Sequence, residues 1–164
     1  ALRCILSLYL MENQGAALHG CAISGSPGAF VFLGKTGSGK TTLAQTVKAE
    51  KVLGDDLVAL LPDSTDGFNV FGTPFSGREG MDSQLDCVSL HSISLMKQSP
   101  QTSLETLSSS EAVRGVLDHF FVFDDSLVTR KKVLVTACKL VKNTACFSSK
   151  ISLSMPIWEL EEMR

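Results

Sequence analysis

The stretch that decides the fold runs from an apolar segment into a glycine-rich loop and reads Ala29-Phe30-Val31-Phe32-Leu33-Gly34-Lys35-Thr36-Gly37-Ser38-Gly39-Lys40-Thr41. Residues 29–33 are an unbroken apolar run, which is typical of a strand buried on both faces. The loop has the spacing G-x-x-x-x-G-K-T, and its glycines let consecutive backbone N–H groups point toward one anion. We therefore predict a strand, a phosphate-binding loop and a helix from Lys40 to about Glu50.

Each residue type in this loop has an expected role in binding ATP and Mg²⁺. Lys40 would reach the β- and γ-phosphates, and the Thr41 hydroxyl would bind the metal ion. The positive end of the helix dipole would favour the same anion. An ordinary glycine-rich turn between strand and helix is the alternative. The predicted nucleotide-binding residues are Gly34, Lys35, Thr36, Gly37, Ser38, Gly39, Lys40, Thr41 and Thr42.

Two adjacent carboxylates, Asp55 and Asp56, follow the short apolar segment Val52-Leu53. Ligands of α/β sheets collect at strand ends beside the phosphate loop. One carboxylate can therefore hold Mg²⁺ while its neighbour accepts a proton from an attacking hydroxyl. An exposed turn after a strand is the alternative interpretation.

The histidines differ in their distance from these motifs along the chain. His19 lies on a predicted strand, residues 17–24, which would pair with residues 29–33 through a turn at 25–28. It is therefore a candidate site residue, with a structural role as the alternative. His91 and His119 are predicted to be structural, because neither is near a motif.

A second loop, residues 72–80, contains three glycines and a proline and favours neither helix nor strand. We predict that it closes over the phosphoryl acceptor. Its Arg78 has a planar guanidinium suited to phosphate oxygens or to a carboxylate of the acceptor. A surface crossover with a solvated Arg78 is the alternative.

Composition limits the class of protein. The chain has 164 residues, 44% of them apolar, which predicts a single domain over residues 1–164. Its net charge is −2 and it has no Lys/Arg run, so an extended nucleic-acid surface is not expected. Residues 2–10 are apolar but too short to span a bilayer, and we predict a strand there and no membrane association. The missing initiator Met indicates that the chain is trimmed or cut from a longer one.

Five cysteines, at positions 4, 21, 87, 138 and 146, form no C-x-x-C pair and lie in apolar stretches. Buried free thiols in a cytosolic protein are the expected interpretation. The remaining elements follow from periodicity and caps. We predict strands at 51–53, 57–61, 68–71, 88–96 and 144–153, and a turn at 62–67. We also predict a helix capped by Ser108 and Glu111, and a last helix capped by Asp124 or Asp125 that buries Leu127, Leu134, Cys138 and Val141.

The order of these motifs resembles a known family. His19-Gly20, the hairpin turn at 25–28, the loop at 34–41 and the segment Val52-Leu53-Gly54-Asp55-Asp56-Leu57-Val58 follow the order found in HPr kinase/phosphorylase-like serine kinases. Residues 71–77 are similar to a "GTPW-x-G" loop in small members of that group. The resemblance implies an α/β, phosphoenolpyruvate carboxykinase-like P-loop domain with a mixed sheet and flanking helices.

By this resemblance, His19 matches the site histidine, Lys40 the phosphate-contacting lysine and Thr41 the metal-binding hydroxyl. Asp55 matches the acid/base carboxylate, and Asp56 lies beside the metal. Thr42 stands where HPr kinases commonly have Glu. The resemblance therefore implies an ATP·Mg²⁺-dependent, cytoplasmic kinase. Its acceptor would be a Ser/Thr hydroxyl of a protein or peptide, or a small molecule. The kinase itself is a candidate homo-oligomer. A nucleotide-binding regulatory module with little turnover and an ordinary small-molecule P-loop kinase are the alternatives.

Overall fold

The computed structural model describes residues 1–46, 52–75 and 87–151. Its elements along the chain are α1 Leu2–Glu12, β1 Ala16–Gly25, β2 Gly28–Leu33, α2 Lys40–Thr46, β3 Val52–Gly54, β4 Leu57–Pro62, β5 Phe68–Phe71, β6 Cys87–Gln98, β7 Ser103–Thr106, α3 Ser109–Leu117, α4 Leu127–Lys142 and β8 Ala145–Ile151. The strands form one mixed sheet with flanking helices, so the predicted α/β class is confirmed.

Five strands close into a ring in the order β1, β4, β5, β6 and β2. The ring closes because β1 and β6 each pair with different strands along the two parts of their length. Residues 16–19 of β1 pair with β4, and residues 20–25 pair with β2, both antiparallel. β6 pairs antiparallel with β5 through residues 87–89 and parallel with β2 through residues 90–95. The antiparallel pair β4 and β5 completes the ring, while β3 pairs with β1, and β8 and β7 extend the sheet beyond β6.

The sequence did not predict this closed ring, and the phosphoenolpyruvate carboxykinase-like topology stays a prediction. The predicted strands at 17–24, 29–33, 57–61, 68–71 and 88–96 are confirmed. Strand β7 was not predicted, because this short strand lies within a segment that looks merely polar.

Alternation along the strands divides the core into three apolar clusters. Residues such as Leu18, Val31 and Leu60 face the inside of the fold and pack with α3 and α4. Phe30 and Phe32 face the other way, toward α2, and each is fully buried. Burial of one such side chain stabilises the fold by about 1.5–3 kcal/mol. The third cluster packs α1 against β4. The glycine-rich loop therefore begins at a strand that is fixed on both faces.

The hairpin between β1 and β2 has the two-residue turn expected from the sequence. Gly25 pairs with Gly28 across Ser26-Pro27. Gly28 has φ +143°, and a Cβ at this position would lie 2.6 Å from the carbonyl oxygen of Ser89. Glycine is therefore required by both conformation and space.

The predicted strand at residues 2–10 is wrong, because this segment forms helix α1. Its buried residues are Ser7, Leu10 and Met11, which have the spacing of one helix face. Leu2 and Ile5 are exposed. The helical period is not recognisable in the sequence, because both faces of α1 carry apolar side chains.

The predictions for α4 are partly wrong. Ser126, rather than Asp124 or Asp125, is its N-cap, and the Ser126 hydroxyl accepts from the Thr129 N–H. Asp124 instead accepts hydrogen bonds from Ser126. Of the four side chains predicted to face inward, only Val141 is buried; the exposed three are Leu127, Leu134 and Cys138.

The capping box of α3 is confirmed, with Ser108 and Glu111 bonded reciprocally. The prediction that every cysteine is buried is wrong: Cys21 and Cys146 are buried, Cys4 is half-buried, and Cys87 and Cys138 are exposed. Within the described ranges, no helix combines the length and apolarity needed to cross a membrane.

Candidate functional site

The glycine-rich loop leaves the end of β2 and enters α2, as the sequence predicts. Gly37 has φ +82° and Gly39 has φ +98°, a region that favours glycine. Gly34 is required for a different reason, because a Cβ there would lie 2.5 Å from the Ser38 Oγ and 3.1 Å from the Met96 carbonyl oxygen. The three glycines therefore give the loop a tight curve that other residues would not permit.

Lys40 places its ammonium group against the inside of this curve. Its Nζ donates to the carbonyl oxygen of Gly34 at 2.5 Å and to that of Lys35 at 3.1 Å. The residue is only 7% exposed. Burial lowers the pKa of Lys40, while Cys21 and Asp56 act in the opposite direction. The loop therefore holds a desolvated cation, and such a group gains free energy from an anion placed beside it.

Ser38 contributes a buried polar atom to the same loop. Its Oγ is inaccessible and has no hydrogen-bond partner within the described part of the chain. An unsatisfied buried hydroxyl costs about 1–3 kcal/mol. A bound acceptor such as a phosphate oxygen would remove this cost.

One cavity of about 300 Å³ brings together most of the residues that the sequence predicts for the site. The glycine-rich loop and α2 contribute Lys40, Thr41 and Thr42 to its lining, and the residues after β3 contribute Asp55 and Asp56. We call it the loop cavity. Its complete lining is His19, Thr36, Gly37, Gly39, Lys40, Thr41, Thr42, Asp55, Asp56 and Gln98.

The two adjacent carboxylates have different surroundings. Asp55 is buried, at 8% exposure. Asp56 forms an ion pair with Arg3, whose Nη2 lies 2.8 Å from its Oδ2, and His19 Nδ1 lies 3.3 Å from its Oδ1. The Arg3 guanidinium also lies 5.5 Å from the centre of the Phe75 ring, within cation–π range. The Asp56 carboxylate is thus contacted by side chains from two separate segments, α1 and β1.

A second cavity, of about 570 Å³, also has Asp56 in its lining, and we call it the outer cavity. It shares His19, Thr36 and Asp56 with the loop cavity. Its remaining lining residues are Arg3, Gly34, Lys35, Leu57, Asp118, His119, Phe120 and Phe121. The two cavities therefore meet at His19, Thr36 and Asp56.

Some residues of this lining were not predicted from the sequence. It predicted that His119 lies away from every motif, whereas the structure places it beside the loop, in the lining of the outer cavity. The carbonyl oxygen of His119 accepts from the His19 N–H at 2.8 Å. Arg3 was not predicted as a site residue, because residues 2–10 were predicted to form a strand. His91 packs edge-on against Phe30.

The predicted lid residue Arg78 lies outside the described residues, as do residues 76–80 of its loop and residues 47–50 of the predicted helix. The lid stays a prediction. Thr73, earlier in the same loop, is buried and donates to the Leu57 carbonyl oxygen at 2.7 Å, which anchors the loop beside β4.

The oxygen donors of the loop cavity fit Mg²⁺ bound together with phosphate. Mg²⁺ in such sites takes one or two carboxylates and completes its shell with phosphate oxygens and water. Thr41, Asp55 and Asp56 line one cavity and supply donors of this type. Across residues 1–46, 52–75 and 87–151, no three His, Cys, Asp or Glu side chains converge on one metal position. The residues therefore suit a metal held jointly with a ligand.

Comparison of the chain with protein-family models and with curated proteins finds no match. The function of this chain must therefore be inferred from the geometry of the loop cavity and the outer cavity.

Proposed function

We propose that this protein is an ATP·Mg²⁺-dependent kinase that transfers the γ-phosphate to a hydroxyl group. One observation carries the proposal: the glycine-rich loop with Lys40 and Thr41 lines one cavity with Asp55 and Asp56. Phosphoryl transfer needs a cradle for phosphate, positive charge and a residue that orients the attacking hydroxyl. All three kinds of group occur around this cavity. The cytosol, where we propose that it acts, supplies ATP.

The loop side of the cavity would bind the phosphates. The Lys40 ammonium would exchange its two carbonyl contacts for β- and γ-phosphate oxygens. Thr41 and Asp55 would hold Mg²⁺, which neutralises charge on the β- and γ-phosphates when bound. The acceptor would enter from the outer cavity.

In the transfer step, the acceptor oxygen forms a bond to the γ-phosphorus. The bond between that phosphorus and the β–γ bridging oxygen breaks, and ADP leaves with its electron pair. Within the described residues, Asp56 is the only carboxylate that lines both cavities. We therefore assign to Asp56 the orientation of the hydroxyl and the acceptance of its proton.

This division of roles is the reverse of the one implied by the family resemblance, which gives the proton to Asp55 and the metal to Asp56. Asp55 lines the loop cavity together with Lys40 and Thr41 and is absent from the lining of the outer cavity. The hydroxyl must lie between donor and acceptor, where the two cavities meet. The position of Asp56 at this junction supports our assignment.

The direct test measures nucleotide binding and transfer separately. Calorimetric titration with ATP and Mg²⁺ should give saturable binding that Lys40→Ala weakens by roughly 10- to 150-fold, because charge-assisted contacts contribute about 1.5–3 kcal/mol. γ-Labelled ATP should then label an acceptor. Exposed Lys131→Ala is the matched control and should bind ATP normally.

Equal ATP affinity of the folded Lys40→Ala protein and the wild type would contradict the nucleotide site. Binding without transfer to any acceptor would favour a nucleotide-responsive regulatory module.

A further inference from the structure

We propose that the outer cavity selects a small zwitterionic acceptor, a hydroxyl compound that also carries an ammonium and a carboxylate group, as a free hydroxy amino acid does. The inference rests on the proposed kinase function and names its substrate class. It follows from two opposite charges in the cavity lining, those of Asp118 and Lys35, which form no ion pair with any residue in the described part of the chain.

The first charge is the carboxylate of Asp118. This residue is the C-cap of α3, where the negative end of the helix dipole disfavours an anion. Within the described residues, Asp118 forms no ion pair, although Arg114 lies one turn earlier on the same helix. A ligand ammonium in the outer cavity would neutralise this carboxylate.

The second charge is the ammonium of Lys35, in the exposed part of the glycine-rich loop. In the chain as described, it too is without an ion pair, and it lines the same cavity as Asp118. Arg3 does not play this part, since its guanidinium is paired with Asp56. Lys35 is therefore the cation that a ligand carboxylate would meet.

The segment that follows Asp118 is hydrogen-bonded to β1 and α1. The His19 N–H donates to the His119 carbonyl oxygen, and the Phe121 N–H donates to the Ala17 carbonyl oxygen, both at 2.8 Å. The buried Ser7 hydroxyl donates to the Phe121 carbonyl oxygen at 2.7 Å. These bonds attach residues 119–121 to β1 and α1, directly after the exposed Asp118.

The size and remaining lining of the outer cavity agree with a small molecule. Its volume of about 570 Å³ lies within the range of small-molecule sites. Leu57, Phe120 and Phe121 give it apolar walls between the charges. The transfer of phosphate to the ligand hydroxyl would release ADP and an O-phosphorylated amino acid.

The test compares acceptors that differ by one charged group. Wild-type protein with γ-labelled ATP and Mg²⁺ receives L-serine, glycerate, ethanolamine, glycerol or a serine peptide blocked at both ends. We expect kcat/KM for L-serine to exceed that for each of the others by at least tenfold. Equal or better use of glycerate, ethanolamine, glycerol or the blocked peptide would overturn the zwitterion assignment and leave the kinase assignment intact.

A variant tests the contribution of Asp118. Asp118→Asn should raise KM for L-serine at least tenfold, change kcat less, and reduce the preference for L-serine over glycerate. ATP affinity should stay within twofold of wild type, which also reports a folded site. Glu105→Gln removes one carboxylate on β7, outside both linings, and should leave all these values unchanged.

An Asp118→Asn protein that keeps the full preference for L-serine would overturn the proposal. The acceptor panel on the wild type decides the matter even if this variant fails to fold. ATP binding without phosphorylation of any panel member would refute the zwitterion while the nucleotide site stands. Absence of ATP binding would refute the kinase itself.

Discussion

The carboxylate of Asp56 lies 2.8 Å from the guanidinium of Arg3, which reaches it from the first helix of the chain. The pair joins an apolar N-terminal helix to the carboxylate at the junction of the two cavities. The centre of the Phe75 ring lies 5.5 Å from the same guanidinium. Helix α1 is thus more than a cover for the sheet, because it supplies the cation that positions Asp56.

Replacement of Arg3 should therefore affect transfer more than stability. Arg3→Gln removes a cation from a pair whose members are 45% and 24% exposed, and such pairs stabilise proteins by only about 0–1 kcal/mol. We expect at least a tenfold fall in transfer and a Tm close to wild type. Arg130→Gln breaks another exposed pair, with Asp125, and is the control. Equal transfer rates in both variants would remove Arg3 from the site.

The adjacent carboxylates should separate proton transfer from metal binding. Under our assignment, Asp56→Asn lowers kcat by roughly 10²- to 10⁴-fold with ATP·Mg²⁺ affinity within a few-fold. Asp55→Asn instead raises the Mg²⁺ concentration needed for half-maximal rate. Magnesium titrations of both variants distinguish this from the family-based division, which predicts the opposite pattern.

His19 should act through Asp56 and the phosphate. Its Nδ1 lies 3.3 Å from Asp56 Oδ1, and its ring lines both cavities. His19→Gln keeps a hydrogen-bond donor and should retain more transfer activity than His19→Ala. We would compare kcat and Tm of both variants with those of His91→Gln as a control. Full activity of both His19 variants with only a lower Tm would make the residue structural.

The attachment of α1 depends on one buried hydrogen bond. Ser7→Ala removes the donor to the Phe121 carbonyl oxygen and should lower the free energy of unfolding by about 1–3 kcal/mol. Urea denaturation measures this loss, and Ser64→Ala, in an exposed turn, should change it little. An unchanged midpoint for Ser7→Ala would show that the bond contributes nothing to stability.

Cysteine alkylation should follow burial. Iodoacetamide reacts with the thiolate, and burial raises the pKa of Cys146 to about 11, so at pH 8 this thiol is almost wholly protonated. In the native protein, the exposed Cys87 and Cys138 should react first, and Cys21 and Cys146 should react only after unfolding. Peptide mapping by mass spectrometry gives the order. Rapid native labelling of Cys146 would contradict the packing of β8.

The sequence alone determined the strand, loop and helix at residues 29–41, the hairpin before them and the capping box of α3. In each case the decisive interaction is local: glycine conformation, a two-residue turn, or a cap three residues from its partner. The sequence also predicted that Asp55 and Asp56 lie near the loop, because ligands of α/β sheets collect at strand ends. The two motifs follow β2 and β3, which both pair with β1.

Only the tertiary structure decided the rest. The helical state of α1 depends on packing of Leu6 and Leu10 against the sheet, because its apolar run gives no clear period. The ring closes through pairing of β2 with β6, whose residues are distant in the chain. Arg3 and Asp118 join the site for the same reason: long-range packing brings them to Asp56 and Lys35, and no local pattern records such contacts.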